Sequence, residues 1–483
     1  MHVSLRKIFA ALLFLALLIL TMRPIVDPDF WWHLRTGELI VQTQTIPHSD
    51  PFSFTVAGKA WIAHEWLSEA IIYLIYLAGG KGLLILSFAL LITGTFFLTY
   101  LRCPPGSRPY LAGFALLLGA ITTAPTWGVR PQMVSLLLAA LFLLLLDRYR
   151  QTGSKKFILP LPALMLVWVN LHAEFILGPA ILGIYIAGDL ADILVGFFRD
   201  KVEIKLATFR GIFWMLGVLA ACLAVITINP NGFHLYLYPF ETLTSPSMQQ
   251  FIQEWASPDF HLLEWQPLIW LILALLGLGM VGRKSISFTN VLLVLAFGYA
   301  ALRSMRHVPL FVIAAVPVLA EQAGALIPIK TEASLGRRLS SWLLPGLAIL
   351  ALLVTGARFV SVVGQQAQAE KDTFPVGAVD WIARNQPPGN LYNTYGWGGY
   401  LVWRLYPGYR VYIDGRADVY GDQFIYAYTD VYRGFSNWQN ALASANVRLV
   451  LIEPGSGLAA ALRKDPDWSV AYEDKLSVLF TKK

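Results

Sequence analysis

Apolar runs follow one another along almost the whole chain, near residues 8–25, 66–78, 83–101, 109–126, 131–146, 157–169, 175–197, 211–228, 267–282, 288–302, 308–328 and 341–360. A helix crosses the hydrocarbon of a bilayer with ~20 such residues, and inside it every backbone N–H and C=O must find its partner within the protein. A chain patterned in this way is confined to a bundle of spanning helices. Composition agrees, with 56% of the 483 residues hydrophobic and only 14% charged and a mean hydropathy of +0.57. The expected fold class is a polytopic α-helical membrane protein.

Sidedness follows from the basic loops. Counting each run as one crossing puts Arg148, Arg150, Lys155 and Lys156 outside, against the tendency of such loops to stay cytoplasmic. Making 66–78 and 83–101 one net crossing, broken or re-entrant at Gly79-Gly80-Lys81-Gly82, removes the conflict. The sequence then predicts about eleven net crossings within a transmembrane domain over 1–360, with a cytoplasmic N-terminus. The basic loops around 102–108, 147–156, 198–210, 283–287 and 330–338 lie inside. Arg6 and Lys7 precede a first run that no small-residue cleavage site follows, so that run reads as an uncleaved helix in the cytoplasmic membrane.

On the extracytoplasmic side this topology places a first loop (26–65), Trp127 to Gln132, Asn170 to Glu174, a long segment (229–266), Arg303 to His307, and everything from 361 to 483. Most of the Trp, His and acidic residues outside the tail fall there. The net charge of +7 is spread over short loops between apolar runs and is no footprint of a nucleic-acid partner. Cys103 and Cys222 lie by or in apolar runs, without metal-ligand spacing, and a disulfide is not expected. The chain has no Walker loop, no GxGxxG before a helix and no GxSxG elbow.

The first loop opens Val26-Asp27-Pro28-Asp29-Phe30-Trp31-Trp32-His33-Leu34-Arg35. Hydrocarbon does not solvate two neighbouring carboxylates, so Asp27 and Asp29 belong at an interface or in a watery cavity. If Asp29 starts a short helix, His33 stands one turn further on the same face. An aromatic belt with a helix-capping Asp explains the stretch equally well. Further on, His172 and Glu174, Arg303, Arg306 and His307, and Arg130 before Pro131 all fall at outer turns. Arginines there suit a lipid phosphate or diphosphate, and taken singly each is as readily explained by snorkelling or structural pairing. Asp29, His33, His64, Glu65, His172, Glu174 and Glu254 could supply ligands to a divalent metal ion, although no fixed spacing marks a site.

The segment 229–266 mixes Tyr236, Tyr238, Phe251, Trp255, Phe260 and Trp265 with Glu254, Asp259 and Glu264. It reads as an amphipathic stretch lying on the membrane, able to act as a lid. From 361 the composition turns soluble and predicts a small α/β domain. Its helix over Asp380 to Asn385 ends before Pro387-Pro388, and its strands are Arg410 to Ile413, Val447 to Ile452 and Val478 to Phe480. The turn at Gly396 to Tyr400 and the loop Asp414 to Asp418 are places for binding residues or for a hinge to the membrane part.

With these residues in view, the chain resembles the GT-C glycosyltransferases, which use polyprenyl-phosphate-linked sugars. They include protein O-mannosyltransferases, aminoarabinose transferases and oligosaccharyltransferase catalytic subunits. Asp29 and Arg35 are similar in spacing to the Asp-x-x-x-x-x-Arg pattern of the oligosaccharyltransferase loop. Phe251-Ile252-Gln253-Glu254 resembles its T-I-x-E motif without the Thr, and Tyr395-Gly396-Trp397-Gly398-Gly399-Tyr400 its W-W-D-Y-G without the Asp. That family's second acidic outer motif falls near Trp127 to Gln132, where Arg130 and Gln132 stand instead, leaving Glu174 to supply a second carboxylate.

The resemblance implies an inverting membrane glycosyltransferase that moves a sugar from a polyprenyl-phosphate carrier to an extracytoplasmic protein, lipid or glycan. Asp29 is then the candidate base, with Asp27, Glu174 and Glu254 as further catalytic candidates. Arg130, His172, Arg303, Arg306, His307, His33 and Trp397 are candidates for binding substrate and phosphate. The competing reading is a non-catalytic scaffold or a transporter with an outer binding domain; a polymerase or ligase would share the chemistry and differ in acceptor. Acids widely separated, with no shared cavity, would favour the scaffold.

Overall fold

The computed structural model describes residues 5–103, 109–198, 206–282, 284–326, 343–435 and 437–483. The expected cytoplasmic loop 330–338 lies outside these residues, as do parts of those around 102–108, 198–210 and 283–287. The bundle is built from α1 (Leu5–Thr21), α2 (Phe30–Thr43), α3 (Trp66–Arg102), α4 (Pro109–Thr123), α5 (Gln132–Thr152), α6 (Leu161–Leu171), α7 (Leu177–Phe198) and α8 (Leu206–Val225). Two short helices follow, α9 (Tyr238–Thr244) and α10 (Pro246–Phe251), then α11 (Gln266–Val281), α12 (Phe288–Arg303), α13 (Val308–Leu326) and α14 (Leu343–Thr373).

This is a polytopic α-helical membrane protein. Among the described residues seven helical segments are long and apolar enough to cross a bilayer, and three shorter apolar ones accompany them. Length and composition therefore support seven crossings directly, against the eleven expected. The helix α13 forms the centre, with 78% of its apolar window buried, whereas α14 has 6% buried and turns Leu350, Leu352 and Leu353 outward. Outward leucines on such a helix are what lipid contact requires, since nothing in hydrocarbon penalises them. Close approach of helices uses small residues: a Cβ on Gly119 of α4 would meet Val312 of α13 at 2.6 Å.

The runs 66–78 and 83–101 are one helical element, broken at Gly79 and Gly80. Gly80 has φ 61° and ψ −157°, a combination open essentially to glycine alone. The residues before the break pack on α2. There Gly37 meets the Glu69 carbonyl so closely that a Cβ would sit 2.0 Å from its oxygen. This contact sets the spacing between His33 and Glu69, one on each helix.

The helix α14 runs on to Thr373, past the boundary at 361 that composition suggests, and the tail proper begins at Phe374. The tail holds α15 (Val376–Asn385), β1 (Asn390–Asn393), α16 (Gly398–Leu405), α17 (Ala417–Tyr420), β2 (Val447–Ile452), β3 (Trp468–Glu473) and β4 (Val478–Lys482), with further short helices between. The sheet order is β1-β2-β4-β3, with β1 parallel to β2 and the other pairs antiparallel. The helix before Pro387 and the strands at Val447 and Val478 are where the sequence puts them; β1 and β3 are additional. Residues Arg410 to Ile413 do not form a strand of their own, because Val411 makes only single bridges, to Leu391 on one side and Ser53 on the other.

That second bridge joins the tail to the first loop. The Phe54 N–H donates to the Val411 carbonyl at 3.1 Å, and the Val411 N–H to that of Phe52 at 3.1 Å. Beside it Arg416, fully buried, donates to Asp50 at 2.7 Å and to Asp414 at 2.6 Å, with its guanidinium over Phe52 and Trp61. Breaking a buried pair of this kind strands a charge, so the tail is locked onto the loop rather than hinged. Replacing Gly37 by Ala should force α2 away from α3 and destabilise the protein by about 1–3 kcal/mol, as overpacking does. Thermal denaturation in detergent checks it, and an unchanged midpoint would show that the two helices part without cost.

Candidate active site

Where α2, the outer turns of the bundle, the segment around α9 and α10, and the tail converge, they enclose a cavity of about 580 Å³. Asp27, Asp29 and His33 reach it from the first loop and α2. Arg130 comes from the turn before α5, His172 and Glu174 from the turn before α7, and Arg306 and His307 from the turn before α13. Glu254 enters from the long segment after α8. Nine of the eleven residues proposed from sequence therefore share one cavity, although 280 positions separate Asp27 from His307.

The other two lie elsewhere. Arg303 ends α12, is exposed, and donates to the Gln249 Oε1 at 3.2 Å. Trp397 is buried within the tail, while its neighbours Tyr395 and Gly396 line the cavity. Arg35, in register with Asp29 by spacing, pairs with Glu38 on its own helix and reaches the tail, where it donates to the Tyr406 carbonyl at 2.6 Å.

At the cavity's centre Arg130 sits between two acids, with its Nε 3.2 Å from Asp27 and its other end on Glu254. Arg306 bonds Glu174 at 3.0 Å and stands 3.7 Å from Glu254. Glu254 is held below the usual carboxylate range: burial alone would raise it, and the two arginines outweigh that. Gly128 makes room for Asp27, whose Oδ2 would lie 2.7 Å from a Cβ there.

Asp29 has no cation of its own. Its Oδ1 accepts the Trp32 indole N–H at 3.0 Å, and its backbone N–H donates to Asp27 at 3.0 Å. Burial, and next the nearby charge of Asp27, push its carboxyl up to about 8. The tail closes over it, since a Cβ on Gly415 would sit 1.9 Å from Asp29 Oδ1. A carboxyl in that state can hold or release a proton near neutrality, as a general base must.

The opposite wall is a set of histidines around Glu65. His64 and His172 both bring Nε2 to Glu65 Oε1, at 3.2 and 3.1 Å, and His33 Nδ1 lies 3.3 Å from Oε2. Burial lowers His33 to about 3, so its ring is neutral. His33, Glu65 and Glu69 bring potential metal ligands within 4.8 Å of one another, a group able to hold an ion. Of the acids proposed from sequence as ligands, Glu65 belongs to this group, whereas Glu254 pairs with Arg130, Glu174 with Arg306, and Asp29 accepts from Trp32.

Sequence reasoning missed Glu69, which hides in an apolar run, and named the tail loop Asp414 to Asp418 only as a place for binding residues or a hinge. Asp418 accepts the Tyr238 hydroxyl at 3.1 Å, and both line the cavity with Tyr395, Gly415 and Arg416. The Asp-Gly-Arg-Ala-Asp loop after Ile413 was the available signal, because a glycine between charged residues after a buried stretch marks a close approach.

No protein-family model matches this chain, and no curated protein matches its sequence. Its fold is nevertheless similar to that of solved membrane proteins of low sequence identity. The oligosaccharyltransferase AglB from Archaeoglobus fulgidus, solved with an inhibitory peptide and a dolichol-phosphate, superposes with a TM-score of 0.58 at 12% identity, over 93% of this chain and 70% of that one. ArnT from Cupriavidus metallidurans, bound to undecaprenyl phosphate, gives 0.54 at 14% identity over 98% and 97%. The arabinofuranosyltransferase AftD from Mycobacteria, as an R1389S mutant, gives 0.53 at 13% identity over 100% of this chain and 42% of that one.

Replacing Arg130 by Met should leave Asp27 and Glu254 facing each other and cost roughly 3–5 kcal/mol at neutral pH, less whatever Arg306 makes good. The stranded carboxyls would then titrate higher in the folded than in the unfolded protein. Stability should therefore recover as the pH falls from about 8 towards about 5, where they protonate. Denaturation in detergent at both pH values checks this; a deficit that does not shrink in acid would contradict it.

Proposed function

We propose that this chain is a membrane glycosyltransferase that moves a sugar from a polyprenyl-phosphate carrier to an acceptor hydroxyl or amide at the extracytoplasmic face. The observation that carries the reading is Asp29, a carboxyl raised to about 8, set in one cavity with two arginines. The fold likeness adds to it, because AglB and ArnT were solved with dolichol-phosphate and undecaprenyl phosphate. A scaffold has no need to bring nine scattered ionisable and aromatic-flanked positions to one cavity, nor to keep an unpaired acid beside a glycine.

In this reaction Asp29 takes the proton of the acceptor group. The acceptor's freed electron pair attacks the anomeric carbon, the bond from that carbon to the carrier phosphate oxygen breaks, and the carrier leaves as polyprenyl phosphate. Attack opposite to the leaving group inverts the anomeric centre. Arg306 and Arg130 meet the charge that grows on the phosphate, exchanging part of their contact with Glu174 and Glu254 for it. His172 and His307 flank Arg306, and Asp27 holds Arg130 and the Asp29 backbone in place.

Access from the bilayer suits a lipid carrier. Phe233, Leu237, Phe240 and Leu243 on the segment over the cavity are exposed, while Pro239, Thr242 and Met248 of the same segment line the cavity. Orientation follows from α5, which starts beside Arg130 and ends in Arg148 and Arg150. Its 21 residues rise ~30 Å, one bilayer. Basic residues at its far end support a cytoplasmic position for that end, with the cavity outside. Eleven crossings and an extracytoplasmic tail are consistent with this.

Asp29→Asn should reduce release of polyprenyl phosphate from lipid-linked sugar by ~10²–10⁴-fold while leaving the melting temperature unchanged. Full activity in that variant would end the assignment. In the unaltered protein the base is protonated and idle at low pH, so turnover should rise with pH through about 8; a rate that falls across this range would contradict it. Gly415→Ala displaces Asp29 without touching its charge. It should lower kcat by ~10²-fold and leave KM for the lipid donor in place, because misplacement by about 1 Å is enough to do so.

A further inference from the structure

We propose that His33, Glu65 and Glu69 bind one divalent transition ion of the zinc class in the wall between α2 and α3, behind the cavity. The inference does not depend on the transferase reading. It starts from a hydrogen-bonding conflict. The Nδ1 of His33 lies 3.3 Å from Glu65 Oε2 and 3.2 Å from Glu69 Oε1. One ring nitrogen carries at most one proton, so it satisfies one carboxylate and leaves the other facing a lone pair or a neighbouring charge. Glu69 is 1% exposed, and its second oxygen, Oε2, has no hydrogen-bond partner at all. A buried carboxylate oxygen left bare is costly unless a proton or a metal cation takes it up, and the ring nitrogen facing both carboxylates suits the metal.

The spacing fits such a cation. Tetrahedral bonds of 2.0–2.2 Å put neighbouring ligand atoms about 3.3–3.5 Å apart, close to the two separations seen at His33. Among the described residues this is the one group of three such ligands found.

The surroundings of Glu65 support it as a ligand. The Trp168 N–H donates to Ser135 Oγ at 2.8 Å, and the Ser135 hydroxyl donates to His172 Nδ1 at 2.8 Å. His172 therefore carries its proton on Nε2 and gives it to Glu65 Oε1. His64 Nδ1–H donates to the Ile62 carbonyl at 3.1 Å, and its Nε2 also faces Oε1. Both histidines fix one oxygen of Glu65 and leave Oε2 aimed at His33. Hydrogen-bonded ligand carboxylates are the usual outer support of a metal site. One imidazole with two carboxylates suits zinc or its neighbours better than magnesium or calcium, which take oxygen ligands. His33 and Glu65 also line the cavity, which leaves the ion's fourth position on that side. An ion here would hold His33, whose ring lies 3.6 Å from that of Trp32 between centroids and tilted to it by 37°, and through Trp32 the Asp29 carboxyl.

The test is metal content. The full chain, purified in detergent with any affinity tag removed, is dialysed against EDTA, given ZnCl2, desalted and analysed by mass spectrometry. About one zinc per chain is expected, and cobalt in its place should give the visible absorption of a four-coordinate N/O site. Glu69→Gln should lose the zinc while eluting as the unaltered protein does, and His172→Asn should weaken zinc binding by ~10–100-fold. Less than about a tenth of a zinc per chain together with no cobalt absorption would overturn the proposal, as would Glu69→Gln retaining full zinc. Should Glu69→Gln fail to fold, the cobalt spectrum of the unaltered protein decides alone.

Discussion

Carboxylates gathered where water is scarce repel each other and lose their hydration, so they stay ionised only if cations are built in among them. That constraint organises this molecule. Arg130 lies between Asp27 and Glu254 and Arg306 between Glu174 and Glu254, while His64 and His172 both meet one oxygen of Glu65. Each cation arrives from a different turn of the bundle, so the helices must meet in one arrangement for the charges to balance. Asp29 has Trp32 for a partner instead of a cation, and burial, with Asp27 beside it, holds its proton high. The balance of the others makes the exception chemically useful, because an unpaired acid among unpaired acids would merely swell the site with water.

The tail is part of this arrangement rather than an appendage. Its Gly415 lies against the Asp29 carboxylate, its Gly399 against the Pro28 carbonyl, and Tyr400 packs edge-on to Trp31. At both glycines any side chain would collide with the first loop, which explains two residues that otherwise read as turn formers. The buried Arg416 pairs with Asp50 and Asp414, and the Val411 bridge fastens the same seam. The low dielectric that raises Asp29 is thus made by the tail's contact as much as by the bundle.

How much of this was legible in the sequence depended on what each residue's neighbours announced. Apolar runs interrupted by short polar turns placed Arg130, His172, Glu174 and Arg306 at helix ends on one side, and helix ends on one side of a bundle meet. Glu69 gave no such sign, because one acid among Trp66, Leu67, Ile71 and Ile72 reads as a flaw in an apolar run. Arg303 and Arg306 are three residues apart with the same chemistry. Only the extended backbone at Ser304, φ −151°, turns one to the surface and the other inward. Trp397 belongs to the tail's core while Tyr395 faces the cavity, a division set by the short helical turn at 395–397 that no periodicity reveals. The strand β1, Asn390–Asn393, was hidden by its two asparagines; Asn393 is buried and spends its amide on the Thr394 and Ile413 carbonyls.

The same placement bears on the reach of the proposed donor. A polyprenyl tail has no reason to leave hydrocarbon, whereas a sugar phosphate has no reason to enter it, so the two must meet at an edge where apolar and charged walls adjoin. The cavity has such an edge: Ile176, Leu177, Leu243, Phe251 and Ile252 line it beside Glu174, Glu254 and Arg306. Arg306 also lies over the Trp255 ring, so the guanidinium is held at the boundary by an aromatic face as well as by Glu174. A phosphate reaching that boundary gains two charge-assisted contacts without drawing its lipid out of the bilayer. In the proposed reaction Asp29, under Gly415, serves the acceptor. The division of the cavity into a lipid-facing cationic edge and a tail-facing acidic corner is what makes transfer between a membrane donor and an aqueous acceptor the reading that uses all of it.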